Sequence, residues 1–73
     1  MAKVFYRLDR PRVRAILREQ SLKRWWVAES AGVHKTTLRR WLNGAIDKIE
    51  SQRLESLAVV LEVRQEEIAR MVA

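Results

Sequence analysis

Val27-Ala28-Glu29-Ser30-Ala31-Gly32-Val33-His34-Lys35-Thr36-Thr37-Leu38-Arg39-Arg40-Trp41-Leu42-Asn43-Gly44 decides how this chain folds. Val27, Ala28 and Ala31 share the inner face of one helix, and Gly32 stops it, since a residue without Cβ turns the chain sharply at little steric cost. A second helix follows after one or two residues. It carries Leu38, Trp41 and Leu42 as its buried stripe, and Asn43-Gly44 ends it with a left-handed stop. Two helices joined by so short a turn cross closely, so Ala28 sits where a larger side chain would push them apart. The ordered set predicts a helix over about 23–31 and an outward-reading helix over about 34–43.

Helical periodicity continues on both sides. Asp9 is a helix N-cap with Pro11 in the first turn, and Val13, Ile16 and Leu17 fall at i, i+3, i+4 along a helix that runs to about Gln20. Ser51 is read as the cap of a fourth helix with Leu54, Leu57, Ala58 and Leu61 inside. A last helix is expected over 65 to 71 or 72, with Ile68, Met71 and Val72 on one side. Lys3-Val4-Phe5-Tyr6-Arg7-Leu8 differs, because its β-branched and aromatic residues suit a short strand or an extended arm, and a lone strand needs a partner. The expected fold class is therefore all-α: a compact bundle of four to five helices over 9–73, preceded by an extended or β arm over 1–8.

Fifteen Lys and Arg against nine Asp and Glu in 73 residues give a net charge of +6, and a polyanion is the partner this suits. The excess is local: residues 1–43 carry net +8, residues 44–73 net −2, and no acid occurs between Ser30 and Ile46. A single domain of this length buries only about 60% of its unfolded surface, so association is an obvious source of extra stability. The absence of cysteine excludes disulfides and thiolate metal sites. The longest apolar run, Leu57 to Leu61, is five residues, against about 20 for a spanning helix. No secretory signal is read at the start, and a cytoplasmic, nucleoid-associated protein without membrane contact is expected. His34 is the only histidine and stands without a carboxylate cluster, so no metal is expected; no cofactor or small-molecule ligand is implied either. With no phosphate-cradling glycine loop, serine elbow or paired acid and base, the chain reads as a non-enzyme.

The set Val27-Ala28, Gly32-Val33, Leu38, Trp41 and Asn43-Gly44, with Leu54, Leu57, Ala58, Leu61, Val63 and Ile68 downstream, resembles the lambda-repressor and Cro type (XRE-like) helix-turn-helix family over residues 11–72. Arg24 stands where many members have Gln, His34 where Ser or Thr commonly caps, and residues 1–8 look like an addition. On an ideal helix with Leu38 inward, Thr36, Arg39, Arg40 and Asn43 point outward and Lys35 flanks them. Arginine and lysine reach guanine acceptors, and threonine offers a hydroxyl and a methyl. The resemblance implies base contacts for Lys35, Thr36 and Arg40; Arg39 reads bases or only phosphates. By the same resemblance Arg24 and Asn43 hold phosphates, which fixes register without reading sequence. His34, at the start of the reading helix, and Lys48, in the loop after it, are further phosphate candidates. Arg10, Arg12, Arg14 and Arg18 either meet the DNA backbone or are solvated surface.

Trp41 belongs to the core with Leu38, whereas Trp26 points nearly opposite the inner face of its helix and Trp25 lies at the edge. Three explanations stay open for Trp26: the arm folds over it through Val4, Phe5 and Tyr6, a second copy covers it, or it meets DNA. The arm can also pair with its copy, or send Lys3 and Arg7 into a minor groove. Oligomer contacts are thus sought among Phe5, Tyr6, Trp25, Trp26, Ile68, Met71 and Val72. A homodimer or higher homo-oligomer on a palindromic operator in double-stranded DNA is the expected assembly, and a small bacterial or phage repressor the expected role. Rivals are a phage-type activator, an antitoxin or a recombination accessory factor on the same fold, and a protein-interaction module built on Trp25, Trp26 and the arm. A basic amphipathic membrane binder ranks last, because Gly32 and Asn43-Gly44 break the helix it needs.

Overall fold

A computed structural model describes residues 4–72. Its order is β1 (Phe5–Leu8), α1 (Arg10–Glu19), α2 (Arg24–Ser30), α3 (Lys35–Asn43), β2 (Lys48–Glu50), α4 (Ser51–Leu61), α5 (Gln65–Ile68) and β3 (Ala69–Val72). The helices form where apolar spacing required them. Val13, Ile16 and Leu17 of α1, Val27 and Ala28 of α2, Leu38, Trp41 and Leu42 of α3, and Leu54, Leu57, Ala58 and Leu61 of α4 meet in one buried cluster. Asp9 caps α1 as expected, its carboxylate accepting from the Arg12 N–H at 3.2 Å.

Three helices end in the same way. After α2, the Val33 N–H donates to the Ala28 carbonyl and the Gly32 N–H to that of Glu29, with Gly32 at φ +74°. This pair of bonds closes a helix when the residue between adopts left-handed φ. A Cβ at Gly32 would meet nothing within 4 Å, so glycine is favoured there by backbone angle alone. After α1 and α4 the same pair forms around Ser21 (φ 53°) and Glu62 (φ 58°), non-glycine residues held in left-handed backbone.

The domain is not all-α. β1 lies in the middle of a three-stranded antiparallel sheet of order β2-β1-β3. Phe5, Tyr6 and Arg7 face Glu50, Ile49 and Lys48 on one side, and Phe5 to Leu8 face Val72 to Ala69 on the other. Tyr6, Leu8, Ile49 and Ala69 lie toward the core; Phe5, Arg7, Lys48 and Arg70 lie outward. The expected last helix therefore stops at Ile68, where Ala69 switches to extended backbone (φ −158°, ψ 158°). The reason is hydrogen bonding: a helix to residue 72 would leave one edge of β1 without partners. Lys48 is likewise in a strand, not a loop. Ser51 does not cap α4. Glu50 holds that position without a side-chain cap, and the Ser51 N–H donates to the Val4 carbonyl at 3.0 Å, tying β1 to the start of α4.

Candidate nucleic-acid interface

α3 is held at both ends. At its start His34 acts as N-cap, the imidazole Nδ1 accepting from the Thr36 N–H at 3.1 Å, so a ring nitrogen does what a Ser or Thr oxygen usually does. At its end Gly44 takes φ +85°, the Asn43 Oδ1 accepts from the Ala45 N–H at 2.9 Å, and the Ile46 N–H returns to the Arg40 carbonyl. Arg14 of α1 donates to the Leu42 carbonyl, and Arg10 lies so close to Gly44 that any Cβ there would run into its guanidinium. Arg53 of α4 donates to the Gly32 carbonyl at 3.0 Å and fixes the turn between α2 and α3.

With its inner stripe buried, α3 turns Lys35, Arg39, Arg40 and Asn43 to solvent, while Thr36 is half-buried. The structure brings Arg24, Lys35, Thr36 and Arg39 together around an open cleft of about 210 Å³ between the starts of α2 and α3. Arg40 and Asn43 lie outside it, further along the helix. Three cations thus surround a hydroxyl at the positive ends of two helices, an arrangement that raises stability only when an anion enters. A second cleft, of about 390 Å³, lies between α1 and the end of α3 and is lined by Arg10, Pro11, Arg14, Arg18, Leu42 and Asn43. The undecided arginines of α1 therefore separate. Arg10, Arg14 and Arg18, spaced i, i+4, i+8, share the α3 side, a spacing visible in the sequence, and Arg10 and Arg14 support α3 itself.

The remaining candidates divide differently. Arg7 does not sit on a free arm; it is in the central strand, and its guanidinium pairs with Asp47 at 3.2 Å. Lys3 lies outside the described residues. Both edges of β1 are occupied within the chain, so the arm itself has no edge left for pairing with a second copy. Nor does the arm close over the tryptophans: Trp25 and Trp26 remain 57% and 43% exposed. Ile68 is fully buried and cannot be an oligomer contact, and Tyr6 is half-buried against the core. Met71 is 67% exposed, Phe5 is exposed and Val72 half-buried.

Among the described residues, no helix is long and apolar enough to cross a membrane, and no group of three or more His, Asp or Glu is placed to hold a metal. No curated protein and no solved structure matches the chain. The family model described as Cro/C1-type HTH DNA-binding domain matches residues 12–73, from within α1 onward, and takes in the α2–turn–α3 unit and the cleft of Arg24, Lys35, Thr36 and Arg39. The chain belongs to the Cro/C1-type helix-turn-helix DNA-binding domain family.

Proposed function

We propose that the chain is a sequence-specific regulator of transcription that lays α3 in the major groove of double-stranded DNA, as a small bacterial or phage repressor acting in the cytoplasm. The observation that carries this is the cleft of Arg24, Lys35, Thr36 and Arg39, continued along α3 by Arg40, on a stretch with no acid from Ser30 to Ile46. Lys35, Thr36, Arg39 and Arg40 read base edges, while Arg24, His34, Asn43 and Lys48 meet phosphates. Asn43 keeps its amide N–H₂ for this, since only its Oδ1 is engaged. The role is binding without turnover, and no cofactor enters it.

Two copies bind a palindromic operator, joined through apolar residues left at the surface, Trp25, Trp26, Phe5 and Met71. The exposed tryptophan pair is also the observation favouring a second reading, a protein-interaction module on the same fold. Selection of bound sequences from random duplexes, followed by salt titration of the winner, separates the two. A palindromic consensus with a steep salt slope is expected; no enrichment from the pool would overturn base reading.

A further inference from the structure

The outer face of the sheet carries a cationic rank that the groove-reading helix does not account for. Arg7 stands directly opposite Lys48 on one side and directly opposite Arg70 on the other, so one cation from each of three strands lies in a single line. All three are exposed. Side chains directly opposite in antiparallel strands have Cβ atoms about 5 Å apart, and like charges so placed destabilise a sheet. Relief is sparse: Asp47 pairs with Arg7, at a site where both side chains are more than half exposed. Lys48 and Arg70 have no ion pair among the described residues. Of the other nearby acids, Asp9 caps α1 through the Arg12 N–H and lines a cleft with Arg7 and Arg70, and Glu50 stands opposite Phe5, two residues along from Lys48.

The rank also has a definite place. Lys48 is the first residue of β2, reached from Asn43 by the short turn over 44–47, and that turn is bonded back onto α3 through Ile46 and Arg40. The line of cations thus begins where the groove-reading helix ends. Strands are spaced about 4.8 Å, so the line spans roughly 10 Å, and a DNA strand presents a phosphate about every 3.4 Å of axis. Because the backbone winds obliquely around that axis, a line of this length lies along about two phosphates of one strand.

We propose that the outer sheet face, through Lys48, Arg7 and Arg70, tracks the phosphate backbone of the same duplex beyond the end of α3. This rests on the DNA-binding reading. It adds to that reading a non-sequence-reading surface, supplied partly by the two ends of the chain, and it gives the self-repelling rank a partner of opposite charge.

The test uses the full chain with Arg70→Ser, and with Arg7→Ser and Arg70→Ser together. Each is titrated against salt on a long random-sequence duplex and on one trimmed close to the α3 site, beside a thermal melt. The slope of log K against log salt on the long duplex should become shallower by about 0.9 for the single variant and by about 1.8 for the double. On the trimmed duplex the parent's slope should already be shallower and the variants should add little. The melting temperature should hold or rise, because a repulsion has been removed; Arg70→Lys should restore the slope. Variants that keep the parent's slope on the long duplex overturn the rank while leaving groove reading intact. A loss of slope that comes only with a lowered melting temperature, and that Arg70→Lys does not restore, also overturns it. A parent chain that binds neither duplex overturns the DNA-binding reading itself.

Discussion

The cations gathered at the N-terminal end of α3 and the α1 arginines packed on its C-terminal end are there for opposite reasons. At the C-terminal end Arg14 donates to the Leu42 carbonyl and Arg10 lies on Gly44, so positive charge meets the negative end of the helix and a carbonyl left without an intrahelical partner. At the N-terminal end Lys35 is the first helical residue of α3 and Arg24 that of α2, and with Arg39 they surround a cleft to which both helices present their positive ends. The first set lowers the energy of the folded chain by itself. The second raises it until an anion arrives. Charge counted along the sequence does not separate these roles; the helix end each cation faces does.

Trp41→Ala tests what holds the two ends in one body. The indole is buried beside Leu38 and Leu42, and its removal should cost about 3–5 kcal/mol, enough to unfold much of a domain this small. Circular dichroism melts read this directly, and a variant melting like the parent would mean that α3 is not anchored through its inner stripe. Arg40→Ala, on the open face, should leave the melt unchanged and cost about 1–3 kcal/mol on a selected site while relaxing one base preference. Equal losses on selected and random duplexes would remove Arg40 from the base-reading set. Arg14→Ala should cost about 1 kcal/mol of stability, a fall in melting temperature of roughly 4–8 °C, because the Leu42 carbonyl loses its donor. The smallest effect is expected at a helix stop away from DNA: Glu62→Gly should stabilise by about 0.5–1 kcal/mol by relieving left-handed strain, and Gly32→Ala should do the reverse by a similar amount. Denaturant melts showing no opposite signs would mean that the φ values do not govern these stops.

The part of the fold visible in the residues was the part governed by local spacing. Val13, Ile16 and Leu17, the Ala28-Gly32 pair, Leu38 with Trp41, and Leu54 to Leu61 all lie where i, i+3, i+4 periodicity put them, Asp9 starts α1 and Gly44 stops α3. The sheet was hidden because no short window contains it. Ile68, Met71 and Val72 have helical spacing, and only β1, more than sixty residues earlier in the chain, makes the last four residues of that segment a strand. β2 is three residues long and gave no alternation to read. The same holds for the candidate site: helix geometry marks Lys35, Thr36, Arg39 and Arg40 as outward, while the gathering of Lys35, Thr36 and Arg39 with Arg24 depends on how α2 and α3 cross. The Arg14 contact with α3 and the Arg53 bond to the Gly32 carbonyl depend on tertiary packing, although the i, i+4, i+8 arginines of α1 marked the face.

Whether Arg24, Lys35 and Arg39 at the N-terminal end of α3 serve DNA while Arg10 and Arg14 of α1, packed on its C-terminal end, serve the fold is decided by the salt dependence of duplex binding for Arg24→Ala beside Arg14→Ala. Arg24→Ala should make the slope of log K against log salt shallower by about one unit, alike on all sequences. Arg14→Ala, measured below its melting transition, should keep the parent's slope. A full slope in Arg24→Ala together with a reduced one in Arg14→Ala would contradict the assignment.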